Sequence, residues 1–177
     1  MKILFLHGLE SSPGGRKSLF LQRLGHHVVC PRLPPEDFDS SVKIAQSEFD
    51  KHEPDVVIGS SRGGAVGMSL DLKGVRLVLI APAWRMFGVK PSVPPGTIVL
   101  HCENDEVVAF KDSKEITGRT LVSCGSDHRM SDAAAFKELE NTLKKVAKDL
   151  EYEKKRKQSF FVKAKNSFYS LLEGRSK

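Results

Sequence analysis

Cysteine is scarce in this chain, with only Cys30, Cys102 and Cys124 among 177 residues. An odd number of thiols spread that far apart suggests neither a disulfide framework nor a metal knuckle. A reducing compartment fits them best. Also missing is any apolar run near the ~18 residues that a membrane span requires. The first residues carry neither the charged n-region nor the long apolar h-region of a leader, so a cytoplasmic protein is expected. No repeat or low-complexity linker divides the sequence, and its length suits one domain with a full core. Aromatic residues make up 7% and include a single tryptophan. The body holds no basic stripe interleaved with aromatics, which argues against a specific nucleic-acid partner.

Charge is present but unevenly placed. Of the net +6, residues 151–177 hold eight Lys/Arg against three Glu, which is +5 and leaves +1 for residues 1–150. Two regions are therefore expected: a nearly neutral catalytic domain over 1–150 and a basic amphipathic helical extension over 151–177. In the extension Phe161, Ala164, Phe168 and Leu171 fall at helical spacing behind Lys154-Lys155-Arg156-Lys157. Such a helix can dock on its own domain, pair with a second subunit or lie on an anionic membrane. Self-docking is the default, because the body offers an apolar neighbour at no translational cost. Membrane contact is the lesser reading, and the oligomeric state is left open.

Within the body, short apolar runs recur as buried parallel strands do: Ile3–Leu6, Val28–Cys30, Val56–Ile58, Val75–Ile80, Thr97–Cys102 and Arg119–Ser123. Between or after them lie segments with helical spacing or caps, at Arg16–Leu24, Ser41–Lys51, Gly63–Leu70, Phe110–Thr117 and Ser131–Leu150. This alternation predicts an α/β fold, a three-layer α/β/α sandwich with a mostly parallel sheet of about six strands. Ligands of such sheets bind beyond the carboxyl ends of the strands. The loops at those ends are therefore the place to look for chemistry.

After the third strand the chain reads Gly59-Ser60-Ser61-Arg62-Gly63, a G-x-S-x-G between an apolar strand and a helix. A serine hydroxyl is a poor nucleophile until a sharp strand-to-helix turn holds it where a base can reach it. The glycines answer to crowding around that turn, where side chains two residues either side of the serine would clash. Ser61 is the candidate nucleophile. The same ends of the sheet carry His7-Gly8-Leu9-Glu10, Glu103-Asn104-Asp105-Glu106 and Asp127-His128-Arg129, so nucleophile, acid and base all appear.

Four patterns together resemble the α/β-hydrolase superfamily, specifically its small, nearly lidless YqiA-like esterase group, over about the first 150 residues. They are F-L-H-G-L-E-S-S-P with Lys17 shortly after, G-S-S-R-G-G, H-C-E-N-D-E-V-V and G-S-D-H. The resemblance implies a compact hydrolase fold with a minimal lid, and a triad of Ser61, Asp105 and His128. Cys102 stands where the family usually has glycine and Ala109 where it has proline, both in the loop that carries Asp105. The oxyanion hole would use the backbone N–H groups of Leu9 and Arg62. His7 would structure the oxyanion loop. No metal or organic cofactor is implied.

The expected activity is hydrolysis of a small carboxylic ester or thioester through an acyl-enzyme. The alternative is a catalytically idle hydrolase scaffold that recruits partners through its C-terminal helix. Glu103 competes with Asp105 for the acid position, but Val107-Val108 after Asp105 match the family pattern. His26, His27, His52 and His101 are assigned no chemistry, His101 being explained by packing. Trp84, Met86, Phe87 and Met130, with Leu9 and Phe110, are expected to form a modest acyl pocket, core packing being the equal alternative. Arg16, Lys17, Arg62, Arg85 and Arg129 all fall at or just after loops at the same strand ends, where solvated surface charge is the favoured reading and an electropositive mouth the other.

Overall fold

The computed structural model describes residues 1–173, with side chains as far as Phe161. By its internal contacts the chain divides into units 1–140 and 141–177, the second being helical through Glu173. The first unit holds six strands: β1 Lys2–Leu6, β2 His27–Val29, β3 Val56–Ser60, β4 Arg76–Ile80, β5 Ser92–His101 and β6 Thr117–Ser123. Four helices, α1 Arg16–Arg23, α2 Phe38–His52, α3 Arg62–Met68 and α4 Phe110–Glu115, lie between them, and α5 Ala133–Glu173 follows β6. The architecture is the expected three-layer α/β/α sandwich.

All strand pairs are parallel and the sheet order is β2-β1-β3-β4-β5-β6. The chain leaves β1 toward one edge and returns to build the other half from β3 onward. The connections therefore diverge between β1 and β3, which pair from Ile3↔Val56 to Leu6↔Gly59. A crevice opens at such a switch point beyond the strand ends. It falls between the loop after Leu6 and the turn at Ser61.

Apolar residues run on through β1, β3 and β4 because these strands are buried on both faces, whereas β2 and β6 at the edges are partly exposed. Leu4, Leu6, Val57, Leu77, Leu79 and Val99 share one core cluster with Ala45, Phe49 and Val66 from α2 and α3. Their neighbours in the strands, Ile3, Phe5, Ile58, Val78, Ile80 and Leu100, are equally buried.

Two boundaries differ from the sequence expectation for identifiable reasons. Helix α2 starts at Phe38 rather than Ser41, because the Asp37 carboxylate caps it, accepting from the Ser40 amide at 2.8 Å. Strand β5 begins at Ser92 rather than Thr97, with the Pro94-Pro95-Gly96 segment in an irregularity between Ser92 and Thr97. Proline cannot donate to a ladder and is tolerated at such an interruption.

The turn after β3 is the tightest point of the fold. Ser61 has φ 53° and ψ −117°, a conformation rare for a residue with a side chain. A Cβ on Gly59 would lie 2.4 Å from the Gly63 carbonyl oxygen, and one on Gly63 would lie 2.1 Å from that of Leu6. Both obstacles are backbone, so neither can swing aside. Gly63→Ala is expected to destabilise the protein by about 2–3 kcal/mol, the range of severe overpacking. Chemical unfolding measures it, and a loss below about 0.5 kcal/mol would show that α3 moves away from β1 freely.

Candidate active site

Ser61 stands at the head of α3, in the strained turn just described. Its Oγ lies 3.0 Å from His128 Nε2, and His128 Nδ1 lies 2.7 Å from Asp105 Oδ2. The carboxylate only accepts, so Nδ1 carries the proton and Nε2 is left to accept from the Ser61 hydroxyl. Asp105 comes from the loop after β5 and His128 from the loop after β6. The sheet thus aligns three side chains into one hydrogen-bonded chain from residues up to 67 positions apart.

The Asp105 carboxylate is fully buried. Its Oδ1 accepts from the amides of Val107 and Val108 at 2.8 and 2.7 Å, and its Oδ2 accepts from His128 and from His101 Nε2 at 3.0 Å. Burial opposes its charge, but the Val108 amide, His128 and the Val107 amide outweigh that and hold the carboxyl below the usual carboxylate range. Glu103, the competing acid, is exposed.

His101 was expected only to pack, and it does more. Its ring is fully buried, with Nε2 also 3.1 Å from the Val108 carbonyl and Nδ1 2.7 Å from Ser113 Oγ. Two acceptors at Nε2 place the proton there, and Ser113 donates to Nδ1. Burial lowers the His101 pKa despite the nearby Asp105 charge. A histidine four positions before the acid, at the end of the same strand, was the available signal.

On the other side of Ser61, His7 Nδ1–H donates to the Gly8 carbonyl at 2.8 Å while Nε2 accepts from the Leu33 amide at 3.2 Å. This buried ring ties the β1 loop to the segment before α2. A Cβ on Gly8 would touch Ser61 Cβ at 3.4 Å, so the loop passes directly over the serine. Among the described residues, the amides of Leu9 and Arg62 take no carbonyl or side-chain acceptor, and both residues line the cavity at Ser61.

That cavity, of about 470 Å³, is lined by Ser61 and His128 together with Leu9, Met86, Phe87 and Val107. Trp84 and Met130 were expected in it and do not line it. Trp84 belongs to the core cluster and donates its indole N–H to the Asp112 carbonyl at 3.1 Å. Met130 is buried against Gly125, and Phe110 packs edge-on against His101.

The basic residues at the strand ends separate into two groups. Arg62 is 1% exposed: its Nη2 donates to the carbonyls of Pro34 and Asp37 and reaches Ser41 Oγ, and the guanidinium lies near the Phe38 and Phe87 rings. Its Nε has no partner among the described residues. Arg85 pairs with Asp112 and Glu115. Arg16, Lys17 and Arg129 line the cavity. Among the described residues no group of three or more His, Cys, Asp or Glu is arranged to hold a metal ion, and no helix is long and apolar enough to cross a membrane.

Known proteins share this architecture. The chain is similar in structure to mouse alpha/beta hydrolase domain-containing protein 10, with TM-score 0.66 and 16% identity over 84% of this chain and 90% of that one. It is also similar to MGS-MChE2, an alpha/beta hydrolase enzyme from the metagenome of sediments of the Mar Chica lagoon in Morocco, with TM-score 0.60 and 14% identity over 85% and 92%. The esterase domain of a Rhodothermus marinus protein matches with TM-score 0.54 and 17% identity over 76% and 80%. The fold is that of the α/β-hydrolases. No curated protein sequence matches the chain. Residues 2–90, half of the chain, match the family described as "Uncharacterised protein family (UPF0227)", and the chain belongs to that family.

The buried His101 ring has a measurable consequence. Its folded pKa is lowered, so the unfolded chain takes up a proton near pH 6.5 before the folded one does. Stability present above that pH is then lost as pH falls toward the folded pKa. His26, also lowered by burial, contributes to the same window. Melting temperature should fall from about pH 7 to about pH 5, and His101→Gln should flatten that fall relative to the native chain. Equal slopes for both would exclude His101 as a neutral buried ring.

Proposed function

We propose that this UPF0227 family member is a serine hydrolase cleaving a small carboxylic ester or thioester, with Ser61 as nucleophile, His128 as base and Asp105 as orienting acid. One observation carries the reading: the unbroken hydrogen-bond chain from Ser61 through His128 to Asp105 at the edge of a cavity. The hydrolase fold, and the esterase domain among the similar structures, support the reaction class. The four sequence patterns support the YqiA-like esterase group within it.

In this mechanism Ser61 Oγ attacks the ester carbonyl carbon while its proton passes to His128 Nε2. The oxyanion that forms accepts from the Leu9 and Arg62 amides, which are preorganised donors and need no reorientation. Asp105 stabilises the imidazolium through Nδ1–H without taking the proton. As the tetrahedral intermediate collapses, His128 gives its proton to the departing alcohol or thiol, leaving an acyl-Ser61 ester. Water then attacks that ester with His128 again as base, releasing the acid and restoring the hydroxyl. His101, through Asp105, is a positioning residue. Met86 and Phe87 provide apolar surface for the acyl group.

The catalytic assignment falls on residues 1–150; in the basic segment 151–177, Phe161 of the apolar face that was expected to dock is 71% exposed. The side chains of Ala164, Phe168 and Leu171 lie outside the described residues. A cytoplasmic, reducing setting belongs to the same reading and rests on three unpaired thiols.

A fluorophosphonate probe tests the nucleophile. The native chain should label, and Ser61→Ala should neither label nor turn over a short-chain ester while keeping its melting transition. His128→Ala should lose activity to a similar extent, because the residues act as a unit. Asp105→Asn should lower kcat by about 10⁴, as when a triad carboxylate becomes its amide, with Glu103→Gln near native. Absence of labelling in the native chain would favour the idle scaffold, and a reversed ranking of the two acids would move the role to Glu103.

A further inference from the structure

Five basic side chains at the strand ends have their charges answered in different ways. Arg62 is satisfied by carbonyls and Ser41, and Arg85 by two carboxylates. Arg16, Lys17 and Arg129 are different. All three line the cavity that holds Ser61 and His128, and the acidic side chain among its lining residues is Glu10. None of the three forms an ion pair among the described residues.

Lys17 is the most telling. It is half-buried, and its Nζ donates to the Arg129 carbonyl at 2.5 Å, a neutral acceptor. Burial pushes its pKa down to about 8, with Arg16 adding to the shift and Asp127 opposing it. Asp127 is itself engaged by the Met130 amide. A half-buried ammonium beside a second cation, without a paired carboxylate, carries a cost that an arriving anion would offset. The first turn of α1 adds to the same field. Its N-cap Gly15 lines the cavity, supplies no side-chain cap, and no acidic residue follows in that turn. Leu9, Met86, Phe87 and Val107 complete a lining that is part cationic and part apolar.

We infer that the substrate is an ester or thioester carrying an anionic group, a carboxylate or a phosphate, which Lys17 and Arg129, with Arg16, hold while Ser61 is acylated. This rests on the serine hydrolase reading and names the substrate class of that same site. Lys17 and Arg129 are specificity residues, acting on which ester binds rather than on the bond-breaking step. The anion belongs either to the acyl part or to the leaving group, and the two are separable by experiment.

The test uses two matched ester pairs on the full chain. The first pair is mono-p-nitrophenyl adipate and its neutral amide, p-nitrophenyl adipamate, which differ in charge on the acyl side. The second is 4-butanoyloxybenzoate and 4-butanoyloxybenzamide, which differ in charge on the leaving group. In at least one pair kcat/KM should favour the anion by about tenfold, equivalent to about 1.4 kcal/mol, and that pair identifies the side. The preference should shrink at about 1 M salt. It should fall several-fold in Lys17→Met and in Arg129→Gln, the latter altering an exposed side chain, and return in Lys17→Arg. Ratios near one in both pairs, with the neutral esters turned over, would overturn the proposal. So would an anionic preference that neither variant changes. Failure of all four esters and of probe labelling would instead overturn the hydrolase reading, and the proposal with it.

Discussion

The first turn of α3 comes so close to the end of β1 that a methyl group on residue 63 would sit 2.1 Å from the Leu6 carbonyl oxygen, inside any permissible contact. Only a hydrogen fits. This contact fixes where the helix starts relative to the strand, and therefore where the strained Ser61 backbone can turn. Because β1 and β3 are neighbours at the point where the chain reverses its direction of travel across the sheet, the same contact brings the Gly8-Leu9 loop over the serine. Hydroxyl, free amides and crevice are consequences of one close backbone approach. The buried leucines, isoleucines and valines of the sheet, each worth about 1.5–3 kcal/mol, supply the free energy that holds such strain.

A second constraint is electrostatic. A carboxylate removed from water needs its lone pairs filled, and Asp105 has them filled by two amides and two imidazoles. Hydrogen bonds to a charged acceptor are worth about 1.5–3 kcal/mol each. The loop is thereby fixed from below by His101, so that Oδ2 faces His128. Arg62 follows the same logic with opposite sign: its charge is buried under carbonyls and aromatic faces, which anchors α3 to the segment before α2. Lys17 departs from it, keeping a cation beside the cavity without a paired carboxylate. The contrast separates charges that hold the framework from one left facing the cavity.

Much of this was legible in the amino-acid sequence. Strand positions follow from short apolar runs, since a parallel strand covered on both faces needs them, and the loops bearing Ser61, Asp105 and His128 follow from the rule that strand ends carry chemistry. Glycine at 59 and 63 announced a crowded turn. Boundaries were less legible where a cap or a bulge intervened, at Asp37 and at Pro94-Pro95. The side-chain directions were not legible at all. Arg62 and Arg85 read first as solvated surface charges, and one turned inward while the other found acids 27 and 30 positions away. Trp84 and Met130 read equally as pocket and as core, and became core. His101 read as packing and became a partner of the acid. What the sequence determined by itself is what local pattern controls: periodicity, turn chemistry and the order of elements along the chain. Which charges are satisfied and which are left facing the cavity was decided only by the tertiary structure, because those partners are brought together by packing between residues far apart in the chain.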